Sequence, residues 1–154
     1  MVKPKNQTTE NKSPLPNNAA SAPRKILVVE DHDDTRAMIR ALLEMEDFVV
    51  LEAVDGKAAV DTTLQHRPDL ILMDLTLPTL DGVTATRLIR GDQTVGRTPI
   101  IFLSGRAEPG RRQDALDAGC DDYLVKPVEI EDMLAVMNRW LTPAARNAAQ
   151  GAAG

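Results

Sequence analysis

Four short apolar runs in this 154-residue chain end on residues that can do chemistry: ILVV (26–29) leads to Glu30 and Asp31, LILM (70–73) to Asp74, IIFL (100–103) to Ser104, and YLV (123–125) to Lys126 and Pro127. Three carboxylates held close in a partly dry cleft repel one another, and a raised pKa or a bound cation relieves that repulsion. Hard oxygen donors of this kind suit Mg²⁺, which takes one or two carboxylates together with waters and phosphate oxygens rather than a complete protein cage. Lys126 is a compact positive charge suited to neutralising a carboxylate or a phosphoryl oxygen, and the Ser104 hydroxyl can donate to the same group. In that company Asp74 is the candidate nucleophile. Carboxylates form acyl phosphates in phosphoryl transfer, where the protein mainly positions groups and balances charge.

Delivering those residues to one place requires a particular scaffold. The apolar runs are too short for ordinary helices and lack polar alternation, the pattern of strands buried on both faces. Between them the period changes. Residues 34–46 carry Met38, Leu42 and Met45 at helical spacing, with Ile39 and Leu43 widening the stripe and Asp33 or Asp34 as the cap. A strand over Phe48–Leu51 follows, then a helix capped by Asp55 and running through Leu64, and Pro68-Asp69 reopens the chain. Asp81 caps a helix from Gly82 to Arg90, and a further helix spans Pro109 to Ala118 with Gly119 closing it. In the last helix Ile130, Leu134, Met137 and Leu141 recur at helical intervals. Five β-α units in series predict an α/β fold, a doubly wound, five-stranded parallel sheet of flavodoxin-like type with helices on both faces. Such sheets bind ligands outside the carboxyl ends of the strands, where the four polar endings collect.

Composition narrows the function classes. A net charge of −5 and a pI near 5.0 leave no basic excess for nucleic-acid phosphates, so no DNA contact is expected. The single cysteine, Cys120, cannot form an internal disulfide, no stretch approaches a membrane span, and the expected location is the cytoplasm. Residues 1–23 are rich in Pro, Asn, Lys, Ser and Thr and read as a disordered tail, residues 24–142 as the folded unit, and residues 143–154 as a short flexible tail. His32 reads as an exposed loop residue rather than a metal ligand, Tyr123 as a half-buried strand aromatic, Cys120 as a small, at least partly buried hydrophobe, and Trp140 as packing for the last helix.

ILVVEDHDD, MDLTLPTLDG, PIIFLSG and AGCDDYLVKP together resemble the receiver domain of two-component response regulators, in register over roughly residues 24–141. The resemblance implies that Asp74 is the phosphoacceptor, Asp31 a direct Mg²⁺ ligand, Glu30 its water-mediated neighbour and Thr76 the donor of a backbone carbonyl to the metal. It implies Lys126 as charge partner of the phosphoryl group, Ser104 and Tyr123 as switch residues, and a cis bond between Lys126 and Pro127. Glu30 stands where many members have Asp, Ser104 where many have Thr, and Gly105 where Ala is frequent.

With no output domain in view, the resemblance is to the stand-alone type, a phosphoacceptor signalling protein rather than an enzyme. It would take its phosphoryl group from a sensor histidine kinase or histidine phosphotransfer protein and act on a downstream target protein. A phosphorylation-dependent homodimer stays open. The target face would lie within residues 107–141, with Arg111, Arg112 and Arg139 as contacts, and the side of the first helix carrying Arg36 and Arg40 would meet the phosphodonor. Two rival classes remain: a receiver-like interaction module that binds partners without phosphorylation, and a small α/β enzyme. Against the latter, EDHDD would repel a phosphate-bearing cofactor, and Thr76 occupies the place where an aspartyl phosphatase carries its second acid.

Overall fold

Successive side chains of a strand point to opposite faces, so a strand covered on both sides must be apolar throughout. The computed structural model describes residues 22–105 and 109–142. Its strands and helices alternate as β1 (Lys25–Val29), α1 (Asp33–Met45), β2 (Val49–Ala53), α2 (Gly56–His66), β3 (Leu70–Asp74), α3 (Gly82–Arg90), β4 (Ile100–Ser104), α4 (Pro109–Ala118), β5 (Asp122–Val125) and α5 (Ile130–Leu141). All strand pairings are parallel, in the order β2-β1-β3-β4-β5. This is the doubly wound sheet that the sequence predicts. The tails expected at 1–23 and 143–154 fall outside the described residues, except for residues 22 and 23.

The central strands divide their residues between two cores. Leu27, Val29, Ile71, Met73 and Phe102 pack with Ala59 of α2, Ile89 of α3 and Ala115 of α4. Ile26, Val28, Leu72 and Leu103 pack with Ile39 and Leu43 of α1 and with Met133 and Met137 of α5. The chain leaves β1 for β2 on one side and returns to β3 on the other, so the order reverses between β1 and β3. A crevice opens at such a reversal beyond the strands' carboxyl ends.

Helix termini explain where the elements stop. Asp55 accepts a hydrogen bond from the Ala58 N–H and Asp81 one from the Thr84 N–H, both at 2.8 Å, so both expected caps form. At α1 the expectation fails by one residue. His32 occupies the cap position without a side-chain cap bond, and Asp33 and Asp34 lie in the first turn, where their charge complements the helix dipole. The apolar stripe of α1 is also rotated from the one expected: Ile39 and Leu43 are buried, whereas Met38 is 57% exposed and Met45 77%. In α5 the buried line is Met133, Met137 and Leu141, with Ile130 and Leu134 flanking it. Gly119, at φ 106°, ends α4 as expected, since this left-handed conformation costs glycine nothing.

Candidate functional site

Glu30 directly follows β1, its N–H bonded to the Ala53 carbonyl at 3.1 Å, and this last sheet-like bond fixes where its side chain leaves the strand. The residue is 1% exposed. One carboxylate oxygen accepts from Lys126 Nζ at 3.0 Å; the other accepts from the His32 backbone N–H at 3.2 Å and lies 3.1 Å from His32 Nδ1. Asp74, the last residue of β3, is 7% exposed. Its Oδ1 accepts from the Thr76 N–H at 3.0 Å, and its Oδ2 accepts from the same Lys126 ammonium at 3.2 Å. Lys126 directly follows β5, its N–H donating to the Ser104 carbonyl at 2.6 Å, and its bond to Pro127 is cis, as the resemblance implied. Two buried acids from different strands therefore share one cation.

The sharing separates the two acids electrostatically. Burial is the strongest influence on Asp74 and, helped by the charge of Glu30, raises its pKa despite the Thr76 N–H and Lys126. For Glu30 burial is again the largest single influence, but the Lys126 ammonium and the two His32 contacts together outweigh it and hold the carboxyl below its ordinary value. Burial would lower Lys126, yet the two acids raise it and keep it charged. Glu30 is thus the anchored anion, and Asp74 the carboxylate whose charge is least stabilised.

Asp31 lies beside them with its side chain 34% exposed. Glu30, Asp31 and His32 offer ligand atoms within 4.8 Å of one another, and Asp74 joins this group through Lys126. Three carboxylates against one ammonium leave an anionic surplus, and hard oxygen donors with that surplus fit Mg²⁺. His32 is exposed, as the sequence suggests, but its ring is not detached: the Glu30 contact and the Asp31 charge raise its pKa. The sequence gives no sign of that contact, because residues 30–32 lie outside the strand and the helix and no regular period fixes which way the imidazole turns.

The loop after Asp74 is shaped by close approaches. A side-chain carbon at Gly82 would lie 2.8 Å from both the Asp74 carbonyl oxygen and a Phe102 ring carbon, so only glycine lets α3 start this near β3. Thr79 has φ 65°, with the Leu80 N–H donating to the Pro78 carbonyl across it at 2.6 Å. A β-branched residue in that region is strained. Thr79→Gly should therefore raise the unfolding free energy by about 1 kcal/mol, strain relief exceeding the added chain entropy, as read by urea denaturation.

Ser104 ends β4, 6% exposed and in register with Val125. Tyr123 is half-buried; its hydroxyl is buried with no hydrogen-bond partner among the described residues, and the Arg112 guanidinium sits 5.3 Å from the ring centre. The expected surface arginines also have partners within the chain: Arg139 pairs with Asp122 at 3.2 Å, and Arg111 donates to the Leu75 carbonyl at 3.3 Å. No described helix is long and apolar enough to cross a membrane.

Comparison with known proteins bears on this geometry. The family model described as the response regulator receiver domain matches residues 26–138. Response regulator ArlR of Staphylococcus saprophyticus is 41% identical over 111 residues, covering 72% of this chain and 49% of that protein. The DNA-binding dual master transcriptional regulator RpaA of Synechocystis is 35% identical over 72% of this chain and 46% of its own length. The chain thus spans about half the length of the curated relatives it matches. Among solved structures, the receiver domain of a sensor histidine kinase from Pseudomonas aeruginosa, crystallised with a magnesium ion coordinated in its active-site cleft, is 40% identical with a TM-score of 0.74, covering 78% of this chain and 98% of that one. The chemotaxis protein CheY4 of Vibrio cholerae is 29% identical with a TM-score of 0.72, over 77% and 98% of the two chains.

Proposed function

The chain belongs to the response regulator receiver domain family of two-component signalling, and from that premise we propose that Asp74 accepts a phosphoryl group from a phosphohistidine protein and that the product switches binding to a partner protein. The observation that carries this reading is the pair of buried acids, Glu30 and Asp74, sharing the Lys126 ammonium at the carboxyl edge of the sheet. An Asp74 carboxylate oxygen attacks phosphorus as the phosphorus–nitrogen bond of the donor imidazole breaks, and the leaving imidazole takes a proton from solvent. Asp31 and Asp74, with Glu30 through water and the Thr76 carbonyl, are the residues that would hold Mg²⁺, whose chemistry here is to neutralise phosphoryl oxygens. Lys126 stays charged and balances the anionic product, while the Thr76 N–H orients the acceptor carboxylate.

The phosphodonor would seat in the groove of about 440 Å³ between α1 and α5, lined by Met38, Ile39, Leu42, Pro127, Val128 and Ile130 and bordered by Lys126. Exposure of Met38 suits that use better than it suits a free surface. The partner-binding switch would run from Ser104 to Tyr123. The serine hydroxyl donates to the new phosphoryl oxygen, a charge-assisted bond worth about 2 kcal/mol, and biases a pre-existing arrangement. Ser104→Ala should accordingly be phosphorylated much as the wild type is, yet lose most of the phosphorylation-induced change in hydrogen exchange along β4 and β5. An undiminished change in that variant would sink the coupling. The reading as a whole is tested by intact mass after incubation with acetyl phosphate. It expects a gain of one phosphoryl group that needs Mg²⁺; no gain under conditions that label another receiver would overturn it.

A further inference from the structure

We infer that Arg36 is a positioning residue for the acidic site, acting through the backbone of the loop that carries Glu30 and Asp31; the inference rests on the phosphoacceptor reading above. Its guanidinium donates from all three nitrogens: Nε to Glu52 Oε1 at 2.9 Å, Nη1 to the Glu30 carbonyl at 2.9 Å and Nη2 to Asp33 Oδ1 at 2.8 Å. One side chain thereby joins the end of β1, the first turn of α1 and strand β2. The Arg36 N–H also donates to the His32 carbonyl at 2.9 Å, which places the side chain one turn into α1, beneath the loop. This differs from the expectation that Arg36 meets the phosphodonor: its side chain is only 14% exposed, and its donors are occupied within the chain.

The hold matters because residues 30–32 have no regular structure of their own. On one side the Glu30 N–H is bonded to the Ala53 carbonyl, and on the other the Glu30 carbonyl is bonded to Arg36. The peptide leading into Asp31 is therefore fixed by Arg36, and with it the direction from which the Asp31 carboxylate starts. A planar guanidinium can serve three acceptors in fixed directions, which a lysine ammonium on a flexible stem cannot. Groups behind metal ligands set ligand orientation, and their loss weakens binding without removing a donor. Arg40 provides a contrast on the same helix. It shares Glu52, at 2.6 Å, and pairs with Glu44 at 3.0 Å, and neither of those contacts reaches the loop.

Mg²⁺ binding by titration calorimetry tests the inference on wild type, Arg36→Lys and Arg40→Lys, with thermal melts to verify folding. Lysine preserves the charge, so the electrostatic field on the acids stays nearly constant and only the geometry of the hold changes. Arg36→Lys should weaken Mg²⁺ on the order of tenfold. Its phosphorylation by acetyl phosphate at saturating Mg²⁺ should stay close to that of wild type, and Arg40→Lys should match wild type in both readouts. Unchanged Mg²⁺ affinity in Arg36→Lys, or an equal loss in Arg40→Lys, overturns the positioning role. An Arg36→Lys protein too unstable to measure is replaced by Arg36→Gln, for which weakened Mg²⁺ binding is again required. A wild type that binds Mg²⁺ but takes no phosphoryl group overturns the phosphoacceptor reading while leaving the affinity comparison intact; a wild type that binds no Mg²⁺ overturns both.

Discussion

Asp74→Asn should reduce phosphorylation by acetyl phosphate to background while giving a more stable protein than the wild type. The amide keeps the shape of the carboxylate but has no anionic oxygen to attack phosphorus, so the loss of labelling is complete rather than graded. Stability moves the other way because the Asp74 charge is costly in the fold. Burial foremost, then the nearby Glu30 carboxylate, raise its pKa above the ordinary value. A carboxyl with a raised folded pKa makes the protein less stable as pH climbs from the unfolded value through the folded one. The variant should therefore exceed wild type by about 1 kcal/mol at neutral pH, and the advantage should vanish once the pH falls below the ordinary carboxylate range. Denaturant unfolding at neutral and acid pH, paired with intact mass, reads both effects. A variant less stable than wild type at neutral pH would contradict the electrostatic account even with labelling lost.

Lys126→Met is the second large effect, and its sign is opposite. The ammonium is the shared partner of Glu30 at 3.0 Å and Asp74 at 3.2 Å. Removing one member of a buried pair leaves an uncompensated charge, which costs about 3 kcal/mol. In the wild type the lowered pKa of Glu30 contributes stability that is present above the unfolded value and lost as pH falls through the folded value. Without Lys126 burial is opposed only by the His32 contacts, so the Glu30 carboxyl moves upward and that contribution shrinks. The deficit should be largest near neutrality and shrink through the acid range as Glu30 and Asp74 take up protons. A second narrowing belongs at high pH: the raised pKa of Lys126 means that its contribution lasts until the wild-type ammonium itself deprotonates. A deficit independent of pH would show that Lys126 acts by packing alone.

These expectations depend on features that differ in how plainly the sequence announces them. A strand covered on both faces has no place for polar residues, so LILM ending on Asp74 is visible as a change in residue type, and the same holds at Glu30, Ser104 and Lys126. Asp55, Asp81 and Gly119 are legible because a cap needs a particular atom or a particular φ. The ends of α1 and α2 are not, since Asp47 and Arg67 adopt positive φ where a search for glycine finds nothing. The α1 stripe is ambiguous in the sequence because a helix with apolar residues at 38, 39, 42, 43 and 45 has two adjacent faces of similar hydropathy, and only docking against the sheet chooses between them. The list of site residues follows from strand ends, but the bridging of Glu30 and Asp74 by one ammonium joins residues 96 and 52 positions apart and depends on strand order. Arg36 carries no sequence signal at all: an arginine on a charged helix face looks the same whether it meets solvent or holds a carbonyl.

The central claim, that Asp74 is the residue that takes the phosphoryl group, is tested most directly by borohydride reduction of the labelled protein followed by peptide sequencing. An acyl phosphate on aspartate is reduced to homoserine, which marks the site permanently. Homoserine at position 74, only after incubation with both phosphodonor and Mg²⁺, is the predicted result. Homoserine at another carboxylate, or phosphate retained on a serine or threonine, would contradict the account.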